Sequence, residues 1–396
     1  MKEITSDLKN QVLRDTAAIL AQDRNSILEA NASDLEALGD TDLALRDRLA
    51  VDDKKIDAMI SALQDVADAA DPVGRVLYHL DHANGMTVEN RTCPFGTILI
   101  IYESRPDVTI EAAAIAFKSG NKIALKGGKE ALNTNLKLYE CWQSALRKNG
   151  VSADFIRYLN LSREETQQML SRAEGQFDLI VPRGGDALIR FVKQYASCPV
   201  IVSGRGNNFL YVHKSADRAM ALNVIMNGKT SKISACNALD KVLIDSSIPQ
   251  KQEFITELIS VLIHAGVEVR TLENCPYPDT VPVKASERFT EYLDHIILLE
   301  EINDMESAIQ HINAYSGHHS AVIITEDEQA AAEFMAGVDA AAVYHNASSR
   351  FTDGGMLGLG AELAISTDKL HHRGPLGTAH LVSNKWYIKG NGQIRK

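Results

Sequence analysis

The order of apolar and polar positions predicts a helical start to the chain, followed by strands. Over residues 2 to about 70, apolar side chains such as Leu8 and Ile19 recur on one helical face. Residues 86–91 then alternate as an exposed strand does, and residues 97–102 form a continuous apolar run. The pattern therefore predicts a layer of helices that needs a sheet to pack on.

A parallel α/β arrangement is predicted from residue 97 onward. The apolar strands 97–102 and 122–126 are separated by the alanine-rich helix 110–118. Two continuous apolar strands joined by a helix form a parallel unit. A second α/β region follows residue 236. Further strands are predicted at 155–160, 178–182, 199–203, 241–244, 268–271, 295–299, 320–325 and 340–345, with helices at 216–226, 251–265 and 304–313.

Three of the early strands end in turns that suit a dinucleotide. Ligands of parallel sheets bind at the carboxyl ends of the strands, where glycine turns expose backbone N–H groups to phosphate. One such turn alone is common, but three at successive strand ends favour a cofactor site. The residues concerned are Ser104 and Arg105 after the first strand, Lys126, Gly127, Gly128 and Lys129 after the second, and Arg183, Gly184 and Gly185 after a later one.

Two standard nucleotide fingerprints are absent from the sequence. No GxGxxG motif occurs. Gly228-Lys229-Thr230 resembles the end of a phosphate-binding P-loop, but Asn223 stands where the first glycine belongs, and a helix rather than a strand precedes it. A nucleotide-triphosphatase is therefore excluded.

The composition of the chain argues against several classes of binding partner. The 396 residues carry a net charge of −11 and no lysine- or arginine-rich run, so nucleic acid and anionic membrane are poor partners. Apolar runs are of strand length rather than membrane length. The five cysteines form no CxxC pair, which fits a reducing cytoplasm, and the paired histidines lack a ligand partner at metal spacing, so no metal is predicted.

Cys236 is the candidate nucleophile. It lies in a small, polar run between a predicted helix and a predicted strand, where backbone N–H groups can point at a group bonded to its sulfur. Asn237 beside it offers an amide donor, and this pair suits thiolate attack on a carbonyl carbon with a stabilised oxyanion. An isolated cysteine is more often a small buried residue, and the other segments must decide between the two interpretations.

The loop 346–355 is a candidate anion site. It carries two glycines and Arg350, and a guanidinium suits a phosphate or a carboxylate. The alternative is an ordinary surface loop.

Taken together, several segments resemble the gamma-glutamyl phosphate reductases, a branch of the aldehyde dehydrogenase superfamily. The resemblance covers about residues 90–380, with the segments in the family's order. They are YESRPDVT (102–109), KSGNKIALKGGKEA (118–131), VPRGG (181–185), ACNAL (235–239), NASSRFTDGG (346–355) and GLGAELAISTDKLHHRGPLG (358–377).

The resemblance implies an aldehyde dehydrogenase-like α/β fold: two parallel-sheet α/β domains plus a small β oligomerisation flap. It makes Cys236 the nucleophile, places Lys126 at the adenosine ribose of the cofactor, and places Glu291 at the nicotinamide ribose. The domains implied are cofactor-binding (1–78 and 97–230), catalytic (231–378) and flap (79–96 and 379–396).

The implied reaction is the NADPH-dependent reduction of L-glutamyl 5-phosphate to L-glutamate 5-semialdehyde through a cysteine thioester, the second step of proline biosynthesis. Ser104, Arg105 and Arg350 are the candidate substrate residues. The resemblance also implies a cytoplasmic homo-oligomer, with glutamate 5-kinase as a candidate partner. Since no kinase region precedes Met1, we expect no bifunctional enzyme.

Two other functions stay open from the sequence. One is an acylating aldehyde dehydrogenase that uses another acyl donor, such as a CoA thioester. The other is a dinucleotide-binding or scaffold protein without catalysis. Dependence on phosphate separates the first from the reductase, and thiol reactivity at Cys236 separates the second.

Overall fold

The computed structural model describes residues 4–39, 43–274 and 277–395. Cys275 lies outside them. The helices are α1 (Ser6–Gln22), α2 (Arg24–Leu38), α3 (Leu43–Leu49), α4 (Asp53–Asp68), α5 (Val108–Lys118), α6 (Leu132–Lys148), α7 (Arg163–Ser171), α8 (Asp186–Tyr195), α9 (Arg218–Thr230), α10 (Lys251–His264), α11 (Met305–Tyr315) and α12 (Glu328–Gly337).

The strands alternate with these helices over most of the chain. They are β1 (Val76–Asp81), β2 (Thr87–Pro94), β3 (Thr97–Tyr102), β4 (Lys122–Lys126), β5 (Ile156–Tyr158), β6 (Leu179–Arg183), β7 (Asn208–Val212), β8 (Leu239–Asp245), β9 (Glu268–Leu272), β10 (Val281–Val283), β11 (Ile296–Ile302), β12 (Ser320–Ile324), β13 (Ala342–His345), β14 (Ile365–Ser366), β15 (Gly374–Pro375) and β16 (Val382–Lys389).

The chain forms two compact units. The first runs up to Val202 and includes Gly358–Ala364 and the segment from Leu376 onward, whereas the second comprises Ser203–Leu357 and Ile365–Pro375. Among the described residues, no helix is both long and apolar enough to cross a membrane.

The first unit is built on a parallel sheet in the order β5-β4-β3-β6. Successive side chains of β3 point to opposite faces, so Ile98 and Ile100 join one core cluster while Leu99 and Ile101 join another. The first cluster contains apolar side chains of α1, α4, α5 and α6, and the second contains those of α7 and α8. The continuous apolar run of β3 thus reflects burial on both faces, and the predicted helical layer is confirmed.

In the first unit, a separate antiparallel sheet pairs the two chain segments that were predicted to form the flap. Its order is β1-β2-β16, and β16 is antiparallel to β2 along its length. Trp386 and Ile388 are 53% and 57% exposed, and Tyr78 stacks edge-on against Trp386. This matches the predicted small β element, although β1 was not predicted and the C-terminal strand ends at Lys389 rather than Arg395.

The second unit contains a parallel sheet in the order β10-β9-β11-β8-β7-β12-β13. Side chains of α9 and α10 share the core cluster on one face, and those of α11 and α12 share the cluster on the other. Strand β8, which follows Cys236, lies near the centre of this sheet and all seven of its residues are buried.

The structure differs from the prediction at the point where one unit gives way to the other. No regular strand forms at 199–203; Val200 makes only an isolated bridge to Ile180. Strand β7 was missed, and it pairs between β8 and β12. The segment 203–230 therefore belongs to the second unit rather than to the predicted cofactor-binding domain.

Candidate active site

Cys236 lies in a tight turn between α9 and β8. The N–H of Ala238 donates to the carbonyl oxygen of Ala235 over 2.9 Å, so Cys236 and Asn237 are the two central residues of that turn. Cys236 is half-buried, whereas Asn237 is buried. The predicted junction of helix and strand is confirmed, and it keeps the thiol partly accessible at the start of the central strand.

The backbone of Cys236 is held by β7 and the segment before it. Asn208, the first residue of β7, donates its amide to the carbonyl oxygens of Cys236 and Ala238 over 2.8 and 2.7 Å. Gly206 packs directly on the same carbonyl, because a Cβ at that position would lie 1.9 Å from the oxygen of Cys236. Neither Asn208 nor Gly206 was among the predicted site residues, since their roles depend on strand order.

The side chain of Asn237 braces the loop 346–355. Its amide nitrogen donates to the carbonyl oxygens of Arg350 and Thr352 over 3.2 and 2.9 Å, and Ser349 Oγ donates back to the Asn237 carbonyl over 2.8 Å. This differs from the predicted role of the side chain as an oxyanion donor, because both amide hydrogens are already donated. The candidate nucleophile and the candidate anion loop are therefore tied together.

The guanidinium of Arg350 leaves part of its hydrogen-bonding capacity unused. Its Nε donates to Ser231 Oγ over 3.0 Å, while its Nη1 is buried and meets no hydrogen-bond acceptor among the described residues. A buried cationic donor without a partner is costly. This is the property that an anion-binding arginine needs before its ligand arrives, and it favours the anion loop over an ordinary surface loop.

Glu291 lies on the segment that precedes β11. Its Oε1 accepts a hydrogen bond of 2.8 Å from the backbone N–H of Gly206. Because Gly206 packs on the carbonyl of Cys236, the predicted ribose-binding carboxylate and the candidate nucleophile are two contacts apart.

In the first unit, the predicted loops meet at the carboxyl ends of β3, β4 and β6. The N–H of Glu103 donates to the carbonyl of Arg183 over 3.1 Å, and Glu103 Oε2 accepts from the N–H of Gly185 over 3.0 Å. Ser104 Oγ donates to Glu130 Oε1 over 2.5 Å. The carboxylates of Glu103 and Glu130, to which the sequence assigns no specific role, join the three turns.

The strand order explains why these loops converge. In the order β5-β4-β3-β6, the connection after β3 leads to β4 on one side, and β6 returns to the other side of β3. Such a switch point is the usual ligand crevice of an open parallel sheet. Ser104 is 2% exposed and donates its hydroxyl to Glu130, so it differs from the predicted substrate contact, whereas Arg105 is exposed.

The turn after β4 is the one predicted to hold the adenosine ribose of the cofactor. Lys126 is half-buried, and this burial lowers the pKa of its amine. Its Nζ donates to the carbonyl of Gly127 over 3.1 Å. A Cβ at Gly127 would lie 2.3 Å from Asn135 Nδ2, and one at Gly128 would lie 2.1 Å from Glu130 Oε1. Close packing against side chains of the same unit therefore requires glycine at both positions.

A half-buried carboxyl lies next to the same loops. Burial, and then the charge of Asp107, raise the pKa of Glu111 to about 7, although Arg183 and Arg105 act in the opposite direction. Glu111 could not be singled out from the sequence, because it falls in the first turn of α5 with no recognisable motif around it.

Comparison with known proteins identifies the family of the chain. A profile of the aldehyde dehydrogenase family matches residues 2–274. Gamma-glutamyl phosphate reductase from Persephonella marina is 39% identical over 407 aligned positions, which cover 100% of this chain and 91% of that protein. The chain belongs to the gamma-glutamyl phosphate reductases of the aldehyde dehydrogenase family.

Solved structures agree with this assignment. Gamma-glutamyl phosphate reductase from Thermotoga maritima superimposes with a TM-score of 0.95 at 40% identity, covering 99% of this chain and 95% of that one. An acetylating aldehyde dehydrogenase from Geobacillus thermoglucosidasius, with a TM-score of 0.69 at 18% identity, covers 100% and 94%. The second likeness concerns the fold alone. The predicted aldehyde dehydrogenase-like fold and the predicted family are thus confirmed, and a nicotinamide cofactor follows from the family.

Proposed function

We propose that this protein reduces L-glutamyl 5-phosphate to L-glutamate 5-semialdehyde with NADPH, releasing phosphate, in the second step of proline biosynthesis. The observation that carries the proposal is the hydrogen-bonded link between the turn of Cys236 and the loop 346–355. A half-exposed thiol lies in a braced turn, and the neighbouring loop presents a buried, unpartnered guanidinium nitrogen. A nucleophile beside an anion receptor suits a substrate whose acyl carbon carries phosphate.

The chemistry follows from the residues of the turn. The Cys236 thiolate attacks the acyl carbon, the carbon–oxygen bond to phosphate breaks, and a thioester forms. Because the Asn237 amide is engaged, we assign the oxyanion to backbone N–H groups of the turn. The bound cofactor supplies the hydride that reduces the thioester carbon. Collapse of the resulting thiohemiacetal then releases the aldehyde and returns the thiolate.

Arg350 and Arg105 remain our assignments for the two anionic ends of the substrate. Arg350 lies on the loop held by Asn237, and Arg105 follows β3 in the first unit. Which of them binds the phosphate and which the carboxylate stays open. The substrate has a carboxylate at one end and a phosphate at the other, and a guanidinium suits either anion.

For the cofactor, we assign Lys126, Gly127, Gly128 and Lys129 to the adenosine side and Glu291 to the nicotinamide ribose. Arg183, Gly184 and Gly185 complete the set, because their turn is hydrogen-bonded to the loop after β3. A cytoplasmic location agrees with Cys93, Cys141 and Cys198, which are free thiols. Association with glutamate 5-kinase stays a prediction.

The absence of a water-activating base gives the sharpest test. The segment 199–206 contains no carboxylate, whereas hydrolytic aldehyde dehydrogenases carry a glutamate there. The thioester should therefore persist until hydride or phosphate reaches it. In the reverse direction, semialdehyde and NADP⁺ should give steady NADPH formation only with phosphate or arsenate, and without either anion a burst of about one equivalent per site.

The measurement is NADPH absorbance against time after exhaustive removal of phosphate. Steady turnover without phosphate or arsenate contradicts the proposal and indicates a hydrolytic enzyme, while restoration by coenzyme A indicates an acylating dehydrogenase. Cys236→Ser should abolish the burst and retain cofactor binding. Cys198→Ser, at a similarly half-buried cysteine, is the matched control and should keep the burst.

A further inference from the structure

Three charged side chains are buried together beneath the candidate active site of the second unit. Lys229 at the end of α9 is 0% exposed, and Asp240 and Lys241 at the start of β8 are 2% and 1% exposed. Lys229 Nζ donates to Asp240 Oδ1 over 3.0 Å. We call these three residues the buried charge cluster. None of them belongs to the proposed chemistry.

The cluster is hydrogen-bonded to the backbone on both sides of Glu291. Lys241 Nζ donates to the carbonyl oxygen of Thr290 over 2.7 Å, and Asp240 Oδ2 accepts from the N–H of Tyr292 over 3.3 Å. Lys241 Nζ also lies 3.9 Å from the centre of the Tyr292 ring, within the range of a cation–π contact. The residues before and after Glu291 are thus fixed by neighbouring residues of one strand.

The same strand begins three residues after the nucleophile. Glu291 Oε1 in turn accepts from the N–H of Gly206, which packs on the carbonyl of Cys236. The positions of the Glu291 carboxylate and the Cys236 turn are therefore set by a common element, β8.

Stability alone is a poor reason for this cluster. Burying charges costs several kcal/mol per ion before pairing, and apolar side chains of similar volume often serve a core as well or better. Two lysines with one directly bonded aspartate add a further unfavourable like-charge term. The charges instead provide directed hydrogen bonds. Lys241 and Asp240 each bond to a specific backbone atom of the 290–292 segment, and Lys229 bonds to Asp240.

We propose that the buried charge cluster is a positioning device that sets the Glu291 carboxylate for the ribose of the cofactor. The proposal rests on the proposed function, in which Glu291 binds that ribose. Lys241 and Asp240 act through Glu291 rather than by touching the cofactor, and Lys229 fixes Asp240.

A pH dependence of cofactor affinity follows from the surroundings of Lys241. Burial lowers the pKa of its amine to about 7; Asp240 and Glu287 oppose this shift, and Lys229 and Arg270 reinforce it. Tyr292 is the remaining titratable group that faces the amine. Below pH 7 the protonated amine binds the Thr290 carbonyl and the Tyr292 ring more strongly. Affinity for NADPH should therefore fall as the pH rises through about 7.

The test is a double-mutant cycle on NADPH affinity, measured by fluorescence titration of the full-length protein. Lys241→Met keeps a long unbranched side chain and removes the charge and the donor. We expect Lys241→Met and Glu291→Gln each to weaken NADPH binding about tenfold, and the double variant to be little worse than either one. The affinity of Lys241→Met should lose the dependence on pH near 7.

Additive losses in the double variant, about a hundredfold in total, would overturn the proposal, since Lys241 would then act independently of Glu291. An unchanged affinity in Lys241→Met would overturn it as well. If Lys241→Met does not fold, Tyr292→Leu keeps all three charges, removes only the ring, and should weaken NADPH binding in the same non-additive way.

Lys118→Met is the matched control, because Lys118 is also 0% exposed and donates to a carbonyl, that of Ala67, in the first unit. Lys118→Met should lower the melting temperature but keep the wild-type pH dependence of NADPH affinity. If Glu291→Gln leaves affinity unchanged, the assigned role of Glu291 fails. The cluster is then judged by amide hydrogen exchange at Gly206, which Lys241→Met should accelerate if it positions Glu291.

Discussion

The side-chain amide of Asn208 donates a hydrogen bond of 2.8 Å to the carbonyl oxygen of Cys236. Asn208 Oδ1 accepts in turn from the N–H of Ser320, the first residue of β12. One fully buried side chain thus joins the candidate nucleophile to two neighbouring strands. Such a fixed support is what a reacting group needs if it is to meet its substrate in one geometry.

Gly206→Ala should disable the enzyme. A Cβ there would lie 1.9 Å from the Cys236 oxygen and 2.5 Å from its carbonyl carbon, both backbone atoms that cannot swing aside. We expect kcat to fall by at least a hundredfold, consistent with a displaced nucleophile. Gly390→Ala is the control, because its nearest atom is the flexible end of Gln393. Near-normal kcat in Gly206→Ala would contradict the packing seen at the turn.

NADPH should be preferred over NADH, and Lys126 should contribute most to its binding. The 2′-phosphate of the cofactor needs cationic partners, and Lys126 and Lys129 stand at the end of β4. Lys126→Ala should raise the KM for NADPH about tenfold, with a smaller effect on kcat. Lys122→Ala, at the opposite end of the same strand, is the control. Equal kcat/KM for the two cofactors would refute the preference.

The face that carries Trp386 and Ile388 should be covered in a homo-oligomer. Both side chains are more than half exposed on a short antiparallel sheet, and contiguous apolar surface of this kind marks an interface. A chain ending at Ser383, or the full chain with Ile388→Asp, should sediment as a smaller species or aggregate. Ile394→Asp, beyond the end of β16, is the control. Unchanged sedimentation of both test variants would place the contact elsewhere.

Acid should destabilise the second unit partly through His319. This side chain is 1% exposed, and its burial lowers the pKa of the imidazole to about 4. Since the folded state binds the proton less readily than the unfolded chain, stability is complete above pH 6.5 and falls as the pH drops toward 4. The shift corresponds to about 3 kcal/mol.

Denaturant unfolding between pH 7 and 4 checks this expectation. His319→Gln should show a shallower loss of unfolding free energy over that window than the wild type does. The exposed His82 provides a control, because His82→Gln should keep the wild-type slope. Parallel curves for His319→Gln and the wild type would exclude a contribution from His319.

The elements that could be predicted are those whose burial shows in the local pattern of apolar and polar residues. Strands β3 and β4 appeared with the predicted bounds because continuous apolar runs between glycine turns have few other solutions. Strand β7 was missed although Phe209 and Tyr211 are apolar, since no turn signal separates it clearly from the glycine-rich segment before it. Strand β1 was missed because all of its residues are exposed.

The sequence predicts which residue types form the candidate site, but not the contacts that those residues make. A cysteine at a junction and an arginine in a glycine-rich loop are visible in one dimension. The contacts depend on which chain segments become neighbours in the fold. Examples are the hydrogen bonds from the Asn237 amide to the loop 346–355 and from Ser104 to Glu130. The buried charge cluster could not be predicted for the same reason, because in the sequence Lys229 stands out only as part of an incomplete P-loop motif.

The pairing of β16 with β2 has a consequence for how the protein is made. Asn384 and Asn90, which are hydrogen-bonded across this pair, are separated by 294 positions in the chain. At 5–20 residues per second, the ribosome needs roughly 15 to 60 s to add that much chain. During that interval, one edge of β2 has no native strand to pair with. A nascent chain is therefore exposed to wrong strand pairing late in translation, and slow synthesis should increase its need for chaperones.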